Sequence, residues 1–315
     1  MALLIATRNR AELFAAAIRR LDPALDLRVA PDLGRVEDID TALVWLPPPG
    51  LLKTLPKLEL IVSVGAGVDA LLDDPTLPDL PLVRYVDADL TGRMVEYITL
   101  HVLYHHRRMT EFRELQSRRE WRYEAEPAAH EVRVGIMGLG VMGSAAVAPL
   151  KLLGYQLRGW SRTPKTIEGM TCYCGDAELE AFLADTDILA VLLPLTPDTR
   201  AILNRALVRK LSRRGRDERL PGPVLINAGR GGLQVDADIL AALEAGELYA
   251  ASLDVFETEP LPETSPLWLH PRVVITPHNA AESAPLSIVR YALRQRQRHL
   301  DGLPLENVVD RTRGY

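Results

Sequence analysis

Gly138-Leu139-Gly140-Val141-Met142-Gly143 is the segment whose residue types and spacing speak most directly of chemistry. It follows an apolar run, Val132–Met137, that reads as a strand, and it opens a pattern, Val141–Leu153, that reads as a helix. In that setting the first glycine makes the tight turn. The second lets backbone approach a pyrophosphate, and the third lets helix and strand pack closely. Free N–H groups and the positive dipole end of the helix then meet the phosphates. A glycine triplet alone is a common tight turn. The strand before it and the helix after it favour a dinucleotide site.

The end of the next strand selects the cofactor. An NAD site usually carries Asp or Glu there, roughly 20 residues on, to hold the ribose 2′-OH. Here Gln156–Trp160 ends in Ser161-Arg162-Thr163-Pro164-Lys165, with a hydroxyl and two cations and no carboxylate. A carboxylate repels a 2′-phosphate, whereas arginine clamps it. The expectation is NADP(H) in preference to NAD(H), with Ser161, Arg162 and Lys165 at the phosphate. The competing reading makes Arg162 and Lys165 solvated loop charges.

These groups need a scaffold, and the pattern supplies two. Leu3–Ala6, Thr41–Leu46 and Leu58–Val64 read as strands, with a helix over Arg10–Leu21. A long helix is predicted from about Gly92 to Arg119. Its apolar face would carry Met94, Tyr97, Leu100, Leu103 and Tyr104. From Glu131 the alternation restarts, with strands at Ile188–Leu193, Val224–Asn227, Ala250–Val255 and Val273–Thr276. Helices are expected at Ala177–Ala184 and Asp236–Ala245, and a last one at Ala284–His299. Strands alternating with helices imply parallel β-α-β units. The expected fold is α/β: two doubly wound parallel-sheet domains, Rossmann-like or flavodoxin-like, with a cleft between them. Residues 1–100 would form a substrate domain and 101–283 an NADP-binding domain. Residues 284–315 would be a helix and tail returning to the substrate domain.

Composition narrows the function classes. The chain has 315 residues, 47% hydrophobic and 25% charged, ordinary for a globular protein. With 37 basic and 42 acidic residues its net charge is −5, which argues against nucleic-acid or membrane-surface binding. Arg205–Arg219 is arginine-rich and reads as a solvated loop rather than a nucleic-acid patch. The two cysteines, Cys172 and Cys174, suit a reducing compartment and a structural role. No basic start with a long apolar core opens the chain, so a cytoplasmic protein is expected. His101 and His105 sit at i, i+4, followed by His106. Without the adjacent glutamate of a zinc-protease helix they read as a polar or interface face, and no metal is expected.

Four segments in order resemble the D-isomer-specific 2-hydroxyacid dehydrogenase family: the glycine motif, Asn227-Ala-Gly-Arg230-Gly-Gly, Leu253-Asp254-Val-Phe-Glu-Thr-Glu259-Pro260 and Thr276-Pro-His278-Asn-Ala-Ala. Ser63-Val64-Gly65-Ala66-Gly67-Val-Asp69 is similar to that family's substrate-carboxylate loop. Trp45-Leu-Pro-Pro and the tail Val309–Tyr315 resemble its glyoxylate/hydroxypyruvate reductase branch. The resemblance implies that Arg230 holds the substrate carboxylate and polarises its 2-oxo group. It makes His278 the general acid/base and Glu259 its carboxylate partner. Asp254 would lie near the nicotinamide, with Leu193, Pro194, Ala228, Gly229 and Ala280 also along the cofactor.

These roles agree with elementary chemistry. Hydride transfer to a ketone leaves an alkoxide that needs a proton, and a carboxylate beside imidazole favours imidazolium. The implied activity is NADPH-dependent reduction of glyoxylate to glycolate and of hydroxypyruvate to D-glycerate. Alternatives are a reductase of bulkier 2-oxo acids, or a non-enzymatic nucleotide-sensing protein of the same fold. Trp45 would wall a small pocket or be an ordinary buried tryptophan. Trp121 would be core or reach the partner of a homodimer.

Overall fold

The computed structural model describes residues Met1–Gly314; Tyr315, the last residue of the tail motif, lies outside the described residues. The chain opens with β1 (Ala2–Thr7), α1 (Ala11–Leu21), β2 (Asp26–Val29), β3 (Ile39–Trp45), β4 (Leu60–Ser63), the short α2 (Asp69–Leu72) and β5 (Leu82–Arg84). These five strands form one parallel sheet in the order β2-β1-β3-β4-β5. The interior strands are buried along most of their length, as a sheet covered on both faces requires. Strand β1 brings Leu3, Leu4 and Ile5 inside, and α1 packs down Phe14, Ala15 and Ile18.

Next come α3 (Ala88–His106) and α4 (Met109–Ser117). The single helix expected over Gly92–Arg119 is thus broken. Arg108 sits in the left-handed region at φ 50° and ion-pairs with Glu111 and Glu124, which turns the chain out of the helix. Then follow β6 (Arg133–Met137), α5 (Val141–Ala145), α6 (Val147–Leu152), β7 (Gln156–Ser161), β8 (Met170–Cys174), α7 (Gly175–Ala184) and β9 (Ile188–Val191). The chain continues through α8 (Arg205–Val208), β10 (Val224–Asn227), α9 (Asp236–Glu244), β11 (Ala250–Leu253) and β12 (Val273–Ile275). The helix expected over Val141–Leu153 is interrupted between α5 and α6. Pro149 has no N–H to return to the Ala145 carbonyl.

Strands β6 to β12 form a second all-parallel sheet, ordered β12-β11-β10-β9-β6-β7-β8. Its strand order reverses between β6 and β9. In open α/β sheets ligands bind at the carboxyl ends of the strands beside such a reversal. At the opposite, amino end Arg133 is buried with its guanidinium on Asp187 at 2.6 Å and Asp185 at 3.0 Å.

The final helix, α10 (Pro285–Leu300), buries Ile288, Val289, Tyr291, Ala292 and Gln295. Internal contacts divide the chain into two compact units. One is Met1–Leu90 with the segment from Glu282 onward, and the other is Thr91–Ala281. The first boundary falls ten residues before the expected 100, because α3 joins the second unit from its second turn on. Met94, Tyr97, Ile98 and Val102 belong to that unit's core, packed with Val134, Ile136 and Leu150. No helix among the described residues is long and apolar enough to cross a membrane.

Candidate active site

The glycine turn sits between β6 and α5, at the strand-order reversal. Each glycine is there for a separate reason. Gly138 has φ 110°, and a Cβ on it would lie 2.8 Å from the Leu192 backbone. A Cβ on Gly143 would come within 1.9 Å of the Gly138 carbonyl oxygen, so α5 can reach β6 only without one. A Cβ on Gly140 would meet no protein atom within 4 Å. That space, over the first turn of α5, is open to a group from outside, and the chain's geometry fits a bound dinucleotide phosphate there. Leu139 is buried in the core, Val141 is exposed and Met142 is half-buried.

Ser161 ends β7 and donates its hydroxyl to the Thr163 carbonyl at 2.7 Å, which tightens the turn that carries Arg162. Arg162 and Lys165 are both exposed at this turn. The remaining expected cofactor residues follow the other strands at the same end of the sheet. Leu193 and Pro194 come after β9, Ala228 and Gly229 after β10, Asp254 after β11 and Ala280 after β12. Leu193, Ala228 and Ala280 are buried.

Arg230, Glu259 and His278 come from three loops of this end. His278 Nδ1 lies 2.7 Å from Glu259 Oε2. Glu259 Oε1 accepts the Phe256 N–H at 3.1 Å, which fixes the carboxylate from its other side. Burial pushes the Glu259 carboxyl up. The His278 hydrogen bond and charge, the Phe256 N–H and the Arg230 charge outweigh it and hold the carboxyl below its ordinary range. Arg230 turns one guanidinium nitrogen onto the Gly229 carbonyl at 2.9 Å. Its neighbour Gly231 is obligatory, since a Cβ there would fall 1.7 Å from the Phe256 carbonyl oxygen. Phe256 therefore touches the arginine loop through its carbonyl and the glutamate through its N–H. Glu259 and His278 are each about a third exposed, so the pair is open to a small solute.

Asp254 is different. It is 2% exposed, and its carboxylate accepts Thr276 Oγ1 at 2.6 Å and the N–H groups of Asn279 and Ala280 at 3.0 Å each. Its lone pairs are directed into the His278 turn. Sequence reasoning did not single out the groups that fix these loops. Asn227 is fully buried, accepts the Gly229 N–H at 3.1 Å and donates to Gln234 at 2.8 Å. Thr276 and Tyr97 share a 2.9 Å hydroxyl contact. The only sequence signal for either was its place beside a motif or on the buried face of a helix.

In the first unit the Trp45 ring lies over Gly65, where a Cβ would be 2.4 Å from the indole. Trp45 is half-buried, which is neither a core position nor a free one. The Gly65 N–H meets the Ser63 hydroxyl at 3.3 Å and the Ala66 carbonyl accepts Arg84 at 3.3 Å, holding Val64, Gly65, Ala66 and Gly67 as one shaped loop.

Three expectations need correction. His101, His105 and His106 are not an outward polar or interface face; they are 4–5% exposed. Buried partners admit them: Ser252 for the first two, Tyr155 and the Pro127 carbonyl for the third. Desolvation pushes His101 down to about 4 and His105 to about 3, the latter helped by His101. Leu100, expected on the buried face of the helix, is instead 59% exposed. Arg205–Arg219 is not simply a solvated loop. It begins with α8, and Arg205, Arg209, Lys210 and Arg219 pair with Glu247, Glu180, Asp217 and Glu131. Trp121 is fully exposed and belongs to no core. Cys172 and Cys174 are free thiols on β8.

The second unit's sheet order and its glycine turn place the chain among the dinucleotide-binding α/β dehydrogenases. The family model for the D-isomer specific 2-hydroxyacid dehydrogenase NAD-binding domain matches residues 99–280, and the chain belongs to that family. A glyoxylate/hydroxypyruvate reductase A from Yersinia enterocolitica is 40% identical over 289 residues, covering 90% of each chain. A crystal structure of an NADPH-dependent glyoxylate/hydroxypyruvate reductase from Sinorhizobium meliloti, in complex with NADP and sulfate, is 44% identical. It superposes with a TM-score of 0.93 over 100% of this chain and 99% of that one. A D-isomer specific 2-hydroxyacid dehydrogenase from Xanthobacter autotrophicus, in complex with NADPH and MES, is 38% identical with a TM-score of 0.93 over the same shares.

Proposed function

We propose that this protein is an NADPH-dependent reductase of small 2-oxo acids, converting glyoxylate to glycolate and hydroxypyruvate to D-glycerate. The observation that carries the reading is the 2.7 Å contact of His278 with Glu259, whose carboxylate also feels the Arg230 charge. A proton donor tied to a carboxylate beside an arginine favours an enzyme over a sensing protein of the same fold. The Yersinia and Sinorhizobium relatives supply the substrate class.

In this reading Arg230 takes the substrate carboxylate and polarises the 2-oxo group. The nicotinamide, when bound, supplies hydride to C2. His278 gives its proton to the oxygen that becomes the alcohol, and Glu259 stabilises imidazolium before that transfer. Gly138, Gly140 and Gly143 admit the pyrophosphate, and Ser161, Arg162 and Lys165 meet the 2′-phosphate. Trp45 and the Val64–Gly67 backbone are assigned to the substrate. We also read the protein as cytoplasmic and as a homodimer. The exposed Trp121 and Tyr123, 104% and 89% accessible, support the second point.

The test is NADPH oxidation with glyoxylate, hydroxypyruvate and longer 2-oxo acids. His278→Ala should lower kcat by roughly 10²–10⁴-fold while NADPH still binds. Arg230→Ala should raise KM for the acid as well as lower kcat. A His278→Ala variant with wild-type turnover would remove the assignment. Preference for long-chain acids would move the substrate to a bulkier class.

A further inference from the structure

Helix α3 carries Tyr97, His101 and His105 at four-residue spacing, so the three rings share one face. That face is buried, and among the described residues no hydrogen bond joins any of the three to Glu259 or His278. Each is nevertheless tied to the carboxyl end of β11 or β12. His101 Nδ1 and His105 Nε2 both meet Ser252 Oγ at 2.7 Å, and Ser252 lies on β11, two residues before Asp254. Tyr97 packs against His101 with the rings tilted at 44° and 4.2 Å between centroids, and places its hydroxyl 2.9 Å from Thr276 Oγ1.

The direction of the hydroxyl pair follows from proton counting. A carboxylate only accepts, so Thr276 donates its one proton to Asp254 Oδ1 at 2.6 Å. The Tyr97–Thr276 bond then needs its proton from the phenol. Burial and the Asp254 charge push the Tyr97 phenol up, which keeps it protonated and a donor. Beyond Thr276 the same carboxylate takes the N–H groups of Asn279 and Ala280, and the Asp254 carbonyl takes the His278 N–H at 2.8 Å. His278, at φ 55°, is thus held from both sides by Asp254.

We propose that the Tyr97→Thr276→Asp254 hydroxyl relay is a positioning device for His278, through which helix α3 sets the placement of the proton donor. This rests on the reading of His278 as the acid of a 2-oxo acid reductase. A buried carboxylate with few donors depends on each of them. Removing the threonine hydroxyl leaves Asp254 with only two N–H groups from the turn, and leaves the phenol without its acceptor. Small displacements of a reacting group are costly in rate.

The experiment compares Thr276→Val, Thr276→Ser, Tyr97→Phe and the double variant Tyr97→Phe/Thr276→Val in the full chain. Readouts are kcat/KM with NADPH and glyoxylate, and hydrogen exchange of the Asn279 and Ala280 amides. Thr276→Val should lose about 10-fold in kcat/KM, near the worth of one hydrogen bond to a charged group. Thr276→Ser should restore most of it, and both amides should exchange faster only in the two variants that carry the valine. Tyr97→Phe should lose less. The double variant should fall no further than Thr276→Val, because Tyr97 acts only through Thr276. Additive losses, or a valine variant with wild-type rate and amide protection, would overturn the relay. A wild-type protein with no reductase activity would instead sink the reading of the reaction, and the amide exchange would still report on the relay.

Discussion

Glu259→Gln isolates the charge of the glutamate from its shape. Two unit charges about 4 Å apart interact by about 1 kcal/mol in water and about 4 kcal/mol at a protein-surface dielectric. The side chains of His278 and Glu259 are 37% and 35% exposed, so solvent screening keeps the loss near the lower part of that range, about 1–2 kcal/mol. At about 1.4 kcal/mol per decade, kcat/KM for reduction should fall by roughly 10-fold. The new amide adds to this. The Phe256 N–H, 3.1 Å from Oε1, draws the amide oxygen and turns the NH₂ toward Nδ1. A donor there opposes a charged ring and favours the neutral one. The loss should therefore fall on kcat, with NADPH binding little changed. Glu259 itself is held below its ordinary 4.5, so in wild type the carboxylate keeps its charge down into that range. The assay is kcat and kcat/KM for glyoxylate at saturating NADPH, with NADPH binding measured alongside. Wild-type turnover in a folded variant would refute the pairing as a support of proton donation.

The Ser161→Asp/Arg162→Ala variant should favour NADH, because the carboxylate accepts a 2′-OH and repels a 2′-phosphate. One charge-assisted bond predicts a wild-type NADPH preference of roughly 10- to 150-fold in kcat/KM, and a wild-type preference for NADH would reverse the reading of this strand end. Trp45→Ala should shift kcat/KM from glyoxylate toward longer 2-oxo acids by uncovering the space over Gly65; an unchanged ranking in a stable variant removes Trp45 from the substrate wall. His105→Gln should flatten the acid side of the stability curve. The unfolded histidine takes its proton near 6.5 and the folded one only near 3. Stability should therefore fall as pH drops below 6.5, by on the order of a few kcal/mol at pH 4, and urea unfolding at pH 4 to 7 reads the slope in both proteins.

Much of the second sheet was legible because β6, β9, β10 and β11 are short, mainly apolar runs, buried at every residue and bounded by turn residues. Strands β2 and β8 were not, since they are half-exposed edges whose alternation is weak. Strand β5 has only three residues. The break at Arg108 was hidden because its partner Glu124 lies beyond the helix. The histidines of α3 misled for a similar reason. Their burial is decided by Ser252, about 150 positions away, and no local pattern announces that a polar ring will find a buried hydroxyl. The glycine turn could be read because its strand, turn and helix are contiguous in sequence and Gly143 answers to Gly138 within the turn. The need for Gly231 could not, since the atom it avoids belongs to Phe256.

The left-handed backbone of His278 sets the interests of rate and durability against each other. A histidine at φ 55° costs conformational energy that glycine does not incur. The turn would be more comfortable with a residue unable to give a proton. Selection for robustness alone should therefore drift this position toward Gly, and on the proposed reaction its histidine persists only while turnover is demanded. Thermostability screens run without an activity filter on this chain should for that reason enrich dead protein at position 278, and the position serves as an internal gauge of whether such a screen is still selecting an enzyme.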